Sequence, residues 1–358
     1  MINRLIIMNQ TRQASLADMS QTSKASAKRA SPTIVDIARA TGVSTATVSN
    51  ALSGRGRVSA KKVAEISSAA ADIGYVPQHA ARALRQGRAS IIGLVVPNIT
   101  NPIFTAMAQA IDECLHHRGL GVLLADSKNR RQGQDEAIRN LSAHGADALI
   151  VIPRHDTEVV SRGVPIVVID VPGRADSAVC SNHHDGGRQI ARHLLELGHA
   201  RILIMAGPEN SAVAGARVAG MREIFDARPH VVLEIRHSPY GPDAAEAILA
   251  SQGSFDFTAL AAVSDTLAIG ALRYLISAGI RVPQDISVSG FDDTIWSRLS
   301  APAMTSVRQN VAEIARAASA IAVGETSGGV TIPVDLVVRG STGPAQQTTT
   351  NFNQGEYT

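Results

Sequence analysis

Five small or amide-bearing residues, Thr45, Ala46, Thr47, Ser49 and Asn50, lie in one segment, STATVSNAL, whose apolar Val48 and Leu52 fall at helical spacing. With Val48 and Leu52 inward, the five face outward near the N-terminal end of a helix capped by Ser44. Such a surface fits a DNA major groove, where Asn bonds adenine through two hydrogen bonds and an Ala methyl meets the methyl of thymine. A merely solvated helix face would use the same residues; the turn spacing and the flanking charge favour the groove.

A second set of polar and aromatic residues follows short apolar runs. Asn98, Asn101 and Phe104 come after IIGLVV, Asp126 ends GVLLAD, Asp170 ends PIVVID, and Asn182 follows AVCS. Arg217 follows MAGPENS, Tyr240 follows VVLEIRHSP, Asp265 follows ALAAVS, and Phe291 with Asp292 ends the last run. Asp and Arg offer bidentate partners to vicinal hydroxyls, and aromatic faces stack on the C–H surface of a sugar ring. This is binding chemistry. Asp185, Asp292 and Asp293 suit helix caps equally well, and Arg154, His155 and His183 are further candidates for a cleft wall.

Signals of catalysis are poor. The chain has no G-x-S-x-G elbow, no H-E-x-x-H, no G-x-x-x-x-G-K and no C-x-x-C. The pairs His116–His117 and His183–His184 lack the i,i+4 partner set of a metal site, and Cys114 and Cys180 sit in apolar surroundings as buried free thiols of a reducing compartment. No cofactor and no metal is expected.

The elements that must position these residues can be read in order. Thr33 is an N-cap with Asp36 three places on; Ile34, Ile37 and Ala38 recur at helical spacing; and Gly42 suits the left-handed conformation of a tight turn. Ser59 caps a third helix through Ile66 and Ile73, which Gly74 stops. Three short helices with a small residue at the crossing form a helix-turn-helix. The stretch VPQHAARALRQGRA is too short to be a stable helix alone in water. From Ile91 onward, nine apolar runs alternate with helical segments, the signature of parallel sheets covered on both faces. Two such units in tandem make a two-lobed α/β core, with ligands expected at the carboxyl ends of the strands.

Charge is segregated. Residues 1–90 carry 13 Lys/Arg and 4 Asp/Glu, a net +9; the whole chain is +3, which leaves −6 for the remainder. A basic end supplies counterion-release affinity for phosphates without making the rest adhere to nucleic acid. With 358 residues and 45% apolar content, the chain is long enough for two or three domains with real cores. No apolar run approaches the roughly 20 residues that span a bilayer, and MINRLIIM lacks a cleavage site, so a cytoplasmic protein is expected. Residues 1–31 read as a disordered basic extension, with Lys24, Lys28 and Arg29 able to meet phosphates, and starts at Met8 or Met19 are compatible with it.

The pieces IVDIARATGVSTATVSNAL, VSAKK, GYVPQHAARALRQGR, IIGLVVPNITNPIF, VVID, HLLELGHARILIMAGP, AGARVAGM, VSDTLAIGAL and ISVSGFDDT, in this order, resemble the LacI/GalR transcriptional regulators from Thr33 to Thr342. The resemblance implies a helix-turn-helix headpiece over 32–76, a hinge helix and linker over 77–90, and a periplasmic-binding-protein-like effector and dimerisation core over 91–342. Lobe 1 is expected at about 91–178 plus 293–323 and lobe 2 at about 179–292 plus 324–342, with a polar tail over 343–358. It implies a repressor of double-stranded operator DNA controlled by a small effector, and it makes the chain a homodimer; the tail lacks Leu heptads, so a tetramerising zipper is disfavoured.

DNA contacts are then expected from Thr33, Ser44, Thr45, Ala46, Thr47, Ser49, Asn50, Arg57, Ser59 and Lys61, with Arg82 on phosphates or the groove floor and Leu84 as an apolar wedge from the minor groove. Effector contacts are expected from Asn98, Phe104, Asp126, Asp170, Arg217, Tyr240, Asp265 and Phe291, with Arg217 and Asp265 most strongly implied. Purine-responsive relatives carry a basic residue where this chain has Ser211, which disfavours a purine and leaves a sugar or sugar derivative first, with amino or organic acids open. The competing classes are a solute-binding protein with the same core, which has no use for a basic helix-turn-helix, and a sugar-processing enzyme, which lacks a nucleophile or cofactor loop.

Overall fold

The computed structural model describes residues 32–53, 56, 58–75, 90–154, 158–161, 163–171 and 178–346. The chain divides into two compact units, Met1–Ala81 and Arg82–Thr358.

The first unit holds three helices: α1 (Ile34–Thr41), α2 (Thr45–Ser53) and α3 (Ala60–Asp72). At the start of α1 the Asp36 carboxylate accepts both the Thr33 N–H and the Thr33 hydroxyl, at 2.9 and 2.8 Å. Those bonds hold the Asp36 carboxyl below its ordinary range. Gly42 ends α1 at φ +64, and Ser44 Oγ accepts the Thr47 N–H at 3.1 Å to start α2. Ser59 departs from expectation: it precedes α3, but its carbonyl rather than its hydroxyl takes the Lys62 and Val63 N–H groups. Ile37, Val48 and Ile66, one from each helix, are fully buried in one cluster with Ala38, Ala51 and Ala70. Each such side chain contributes about 1.5–3 kcal/mol, and the small alanines let the helices cross closely.

The second unit carries two six-stranded sheets. In the first, β1 (Ile91–Val96), β2 (Gly121–Asp126), β3 (Ala148–Val151), β4 (Ile166–Ile169), β5 (Ala178–Ser181) and β11 (Val330–Ile332) lie in the order β11-β5-β4-β3-β1-β2, all parallel. In the second, β6 (Arg201–Gly207), β7 (Val232–His237), β8 (Ala259–Ala262), β9 (Ser287–Asp292), β10 (Thr305–Gln309) and β12 (Val334–Val337) follow β12-β10-β9-β8-β6-β7. Only β12 runs antiparallel there. The helices that matter to the site are α4 (Pro102–His116), α5 (Arg131–Ala143), α6 (His183–Glu196), α7 (Ala212–Phe225), α8 (Pro242–Ala250), α9 (Asp265–Ser277), α10 (Ile295–Leu299) and α11 (Val311–Ala322).

Sheet membership moves the lobe boundaries from those expected. β5 reaches Ser181 in lobe 1, β10 belongs to lobe 2, and β11 returns to lobe 1 beside β5. The chain thus crosses between lobes after β5, after β10 and after β11. The nine apolar runs are β1–β9; β10, β11 and β12 are not among them, and β10 (TSVRQ) is polar enough to hide among helical segments. Burial on both faces also fails at β2, the edge strand of its sheet among the described residues, where Leu123 and Leu124 are exposed. It fails likewise at β7, the edge of the second sheet, where no residue is fully buried and Val232 is exposed; in the inner strands the pattern holds, with buried residues packed into one cluster in lobe 2 and two in lobe 1.

Candidate functional site

Between the lobes lies a cleft with a cavity of about 230 Å³. Asn98, Asn101, Phe104 and Asp170 line it from lobe 1, and Ser211, Arg217, Tyr240, Ser264 and Asp292 from lobe 2. Most lie at the carboxyl ends of strands or at helix starts, where an open parallel sheet leaves room for ligand, with Arg217 one turn into α7 and Tyr240 in the loop before α8.

Arg217 is placed by two glycines. A Cβ on Gly187 of α6 would sit 2.1 Å from Arg217 O, and one on Gly220 of α7 would sit 1.9 Å from His184 O, so the two helices touch backbone to backbone. The guanidinium then stacks 3.7 Å above the Phe291 ring. Its Nη1 donates to Val263 O, its Nη2 pairs with Asp292 Oδ1 at 3.1 Å, and its Nε donates to His183 Nδ1 at 3.3 Å. With Nδ1 as acceptor, the ring proton is assigned to Nε2, which reaches Asp170 Oδ1 at 3.0 Å. Burial raises the Asp170 carboxyl, but the attraction and hydrogen bond of His183 and the Ser181 N–H outweigh it and hold it below its ordinary value. Asp292 goes the other way: burial pushes its carboxyl up despite Arg217 and the Gln309 amide, which donates at 2.7 Å. Gln309 Oε1 in turn accepts from Ser181 Oγ at 2.7 Å, which ties the ends of β10 and β5 together across the lobes.

Tyr240 closes one wall. Its ring lies over Gly207, where a Cβ would meet it at 3.1 Å, and its hydroxyl is 3.1 Å from Ser211 Oγ, the cap of α7. Burial raises the Tyr240 hydroxyl above its ordinary range, so it remains a neutral donor.

The opposite rim is a loop after β2. Asp126 Oδ1 accepts the Lys128 N–H at 2.8 Å, and Lys128 and Asn129 both adopt φ +53, a left-handed conformation uncommon outside glycine. Gly133 makes the turn possible, since a Cβ there would sit 2.3 Å from Ser127 O. The loop presents Asn129 to the cleft, and Asn129 O accepts from Arg154 Nε at 2.8 Å.

Of the eight residues expected to meet effector, five line the cleft: Asn98, Phe104, Asp170, Arg217 and Tyr240. Asp126 does not; it shapes the loop just described and lines a separate depression on lobe 1. Asp265 is fully buried, where it accepts from Thr294 N, Thr294 Oγ1 and Ser306 Oγ at 2.6–2.9 Å. Burial, then the charge of Asp292, raise its carboxyl to about 7. Phe291 is also fully buried and serves as the platform under Arg217. Asn129, Ser264 and Gln309 were not singled out: Gln309 ends the polar strand β10, and Ser264 reads locally as the cap of α9, whose Leu267 N–H its hydroxyl takes. Of the residues weighed as caps, Asp292 lines the cleft, whereas Asp293 pairs with Arg308 and Arg339, and Asp185 bonds Gln189. Arg154 lines the cleft, His183 stands behind it, and His155 lies outside the described residues.

Ligand atoms of Asp170, Cys180 and His183 fall within 4.8 Å of one another. Burial, then Asp170, push the Cys180 thiol up to about 12, so it stays protonated at neutral pH, and Asp170 and His183 are committed to each other. The cluster is not built for a cation.

On the headpiece, Ser44, just before α2, and Thr45, Ala46 and Asn50 on it are exposed, and Thr47 and Ser49 are half-buried. Ser59 and Lys61 are exposed at the start of α3. The Thr33 hydroxyl is taken by Asp36. Arg57, Arg82 and Leu84 lie outside the described residues. Among the described residues no helix is long and apolar enough to cross a membrane.

Known proteins resemble the chain over both units. Residues 33–78 match the model of bacterial regulatory proteins of the lacI family, and residues 191–342 match the periplasmic binding protein-like domain. The transcriptional regulator GalR of Salmonella typhimurium is 32% identical over 304 residues, covering 81% of this chain and 88% of the relative. DegA of Bacillus subtilis, also a transcriptional regulator, is 30% identical over 335 residues, 87% of this chain and 98% of its own. Among solved structures, the lac repressor dimer bound to operator and the anti-inducer ONPF superposes with a TM-score of 0.76 at 26% identity, over 88% of this chain and 100% of that one. A complex of the transcriptional regulator CelR with cellobiose gives 0.61 at 26% identity, over 87% and 99%. These relatives are transcriptional regulators, and the chain belongs to the LacI family, as a DNA-binding transcriptional regulator with an effector-binding core.

Proposed function

We propose that this chain is a cytoplasmic repressor that binds operator DNA as a homodimer and whose operator affinity is set by a sugar or sugar derivative held between its lobes. The observation that carries the reading is the cleft itself, where Asn98, Asp170 and Arg217 offer hydroxyl partners between the aromatic walls Phe104 and Tyr240. Two of the structural neighbours support it: one is a repressor on its operator, the other holds cellobiose. Asn50, Ala46 and Thr45, with Thr47 and Ser49, read base edges; Ser44, Ser59, Lys61 and Arg57 meet phosphates; Arg82 and Leu84 act from the hinge. Thr33 is left with a structural part, since Asp36 occupies its hydroxyl. A second copy would cover apolar surface now exposed at Leu123 and Leu124 of β2 and at Trp296 and Leu299 of α10. The test is selection of a binding site from randomised duplexes, followed by titration of the selected duplex with and without members of a sugar panel. A two-fold symmetric site weakened or strengthened by one sugar supports the reading; absence of any sequence preference would sink it.

A further inference from the structure

Six residues beside the cavity close a circuit of hydrogen bonds. Ser181 Oγ donates to Gln309 Oε1, and the Gln309 amide donates to Asp292 Oδ1, both at 2.7 Å. Asp292 Oδ1 also pairs with Arg217 Nη2 at 3.1 Å, and Arg217 Nε donates to His183 Nδ1 at 3.3 Å. His183 Nε2 reaches Asp170 Oδ1 at 3.0 Å, and the same oxygen accepts the Ser181 N–H at 3.1 Å, which returns the path to its start. Asp170 is half-buried and the other five are buried, so a partner lost from the circuit is not replaced by bulk water.

The circuit lies across two joints between the lobes. Asp170 follows β4 and Ser181 ends β5 in lobe 1, whereas His183 opens α6, and Arg217, Asp292 and Gln309 stand on α7, β9 and β10 of lobe 2. The bonds Ser181–Gln309 and Asp170–His183 therefore run from one lobe to the other. Each joint is a single residue: Asn182 between β5 and α6, and Asn310 between β10 and α11, whose Ile314, Ala315 and Ala318 pack in lobe 1. The two joints share one conformation, φ −74 and ψ 71 at Asn182 and φ −79 and ψ 76 at Asn310, the region of the inverse γ-turn. A swing of one lobe must turn the backbone at these joints, and with it strain or break the two bonds that bridge them. Asp170, Arg217, Asp292 and Gln309 also line the cavity, so a molecule held there touches the circuit from both lobes; Ser181 and His183 stand behind it.

We propose that this circuit is the latch between lobe arrangements that bind operator with different affinity, and that Ser181, buried behind the cleft, is a positioning residue that sets operator affinity without touching effector. This rests on the reading of the chain as an operator-binding protein controlled through its cleft. The operator affinity of the free chain is weighted by the populations of its arrangements. Removing a bond made in one arrangement alone moves that weighting, and a ligand on Asp170, Arg217, Asp292 and Gln309 acts on the same bonds.

The test needs no effector. The duplex selected from randomised sequences would be titrated at fixed salt with the full chain as wild type, Ser181→Ala, Gln309→Met and the double variant, with thermal unfolding of each sample to verify the fold. Ser181→Ala and Gln309→Met should each shift operator affinity about fivefold or more, in the same direction. The double variant should shift it no further than Gln309→Met alone, because the Ser181 hydroxyl then has no partner left to lose. A lower unfolding temperature with operator affinity unchanged in Ser181→Ala would make the bond a structural tie and overturn the proposal. Shifts of opposite sign, or single effects that simply add in the double variant, would overturn it as well. A selection that yields no preferred duplex would remove the underlying reading, an outcome distinct from a preferred duplex whose affinity the variants leave untouched.

Discussion

Asp265 shows how one residue can be conspicuous in the sequence and yet belong elsewhere. It follows a strand, as a ligand-binding residue should, but Gly290 opposite has no side chain, and a Cβ there would sit 2.5 Å from Asp265 Oδ1. The carboxylate slides into that space and ties α9 to Thr294 and Ser306 instead of facing the cleft. Its pKa is about 7 in the folded chain against an ordinary 3.8, so the folded state holds a proton that the unfolded state has lost. Stability from this group is therefore complete below about pH 4 and is lost as pH rises toward 7. Asp265→Asn should remove that loss: the stability of the variant relative to wild type should improve between pH 5 and pH 7.5 in urea unfolding. Equal slopes with pH for the two proteins would contradict the assignment. Asp265→Ala, by contrast, strands the buried Thr294 N–H and should cost about 1–3 kcal/mol of fold stability. Asn50 is the opposite case, legible because helical spacing alone puts it on the exposed side of α2. Asn50→Ala should relax base preference at one symmetric position of each half-site and cost roughly 1–3 kcal/mol; unchanged selectivity in a randomised-operator assay would reject it as a reader.

Among the elements, α6 and α7 set the precision of the site. Gly220→Ala would place a methyl on His184 O and part the two helices, which should cost on the order of 1–3 kcal/mol and weaken effector binding by shifting Arg217. Thermal unfolding and calorimetry on one sample would check both, and wild-type values in each would show that the crossing has slack. The segment 77–90 has a different part: if it is a hinge that orders on DNA, Leu84→Ala and Ala81→Gly should each weaken specific binding without altering effector affinity. Operator affinity untouched by both would make it a passive linker. The headpiece was legible because caps, turn glycine and helical spacing are local signals, and β1–β9 were legible because a doubly covered parallel strand is apolar throughout. What escaped was long-range: β10 earns its place by pairing with β9 and β12 rather than by composition, and Gln309 escaped with it. Asn129 escaped because a pair of non-glycine residues in the left-handed region leaves no mark in sequence.

At the scale of the whole molecule, the chain crosses between the lobes three times and the Ser181–Gln309 bond ties the ends of β5 and β10; closure of the lobes on a ligand as two bodies is the proposal such connections invite. A ligand shifts operator affinity only by its different affinity for the two lobe arrangements, a coupling of typically about 5–150-fold. The basic end of the chain makes operator affinity fall steeply with salt, so salt must be held fixed in any such comparison. The most direct test of the central claim is therefore one titration: a fluorescent operator duplex against the full chain at fixed salt, with and without a ligand shown by calorimetry to bind, on wild type and Tyr240→Ala. The account predicts a shift in operator affinity of about fivefold or more in the wild type and none in Tyr240→Ala at the same ligand concentration. Wild-type operator affinity that stays constant while the cleft is saturated would contradict it.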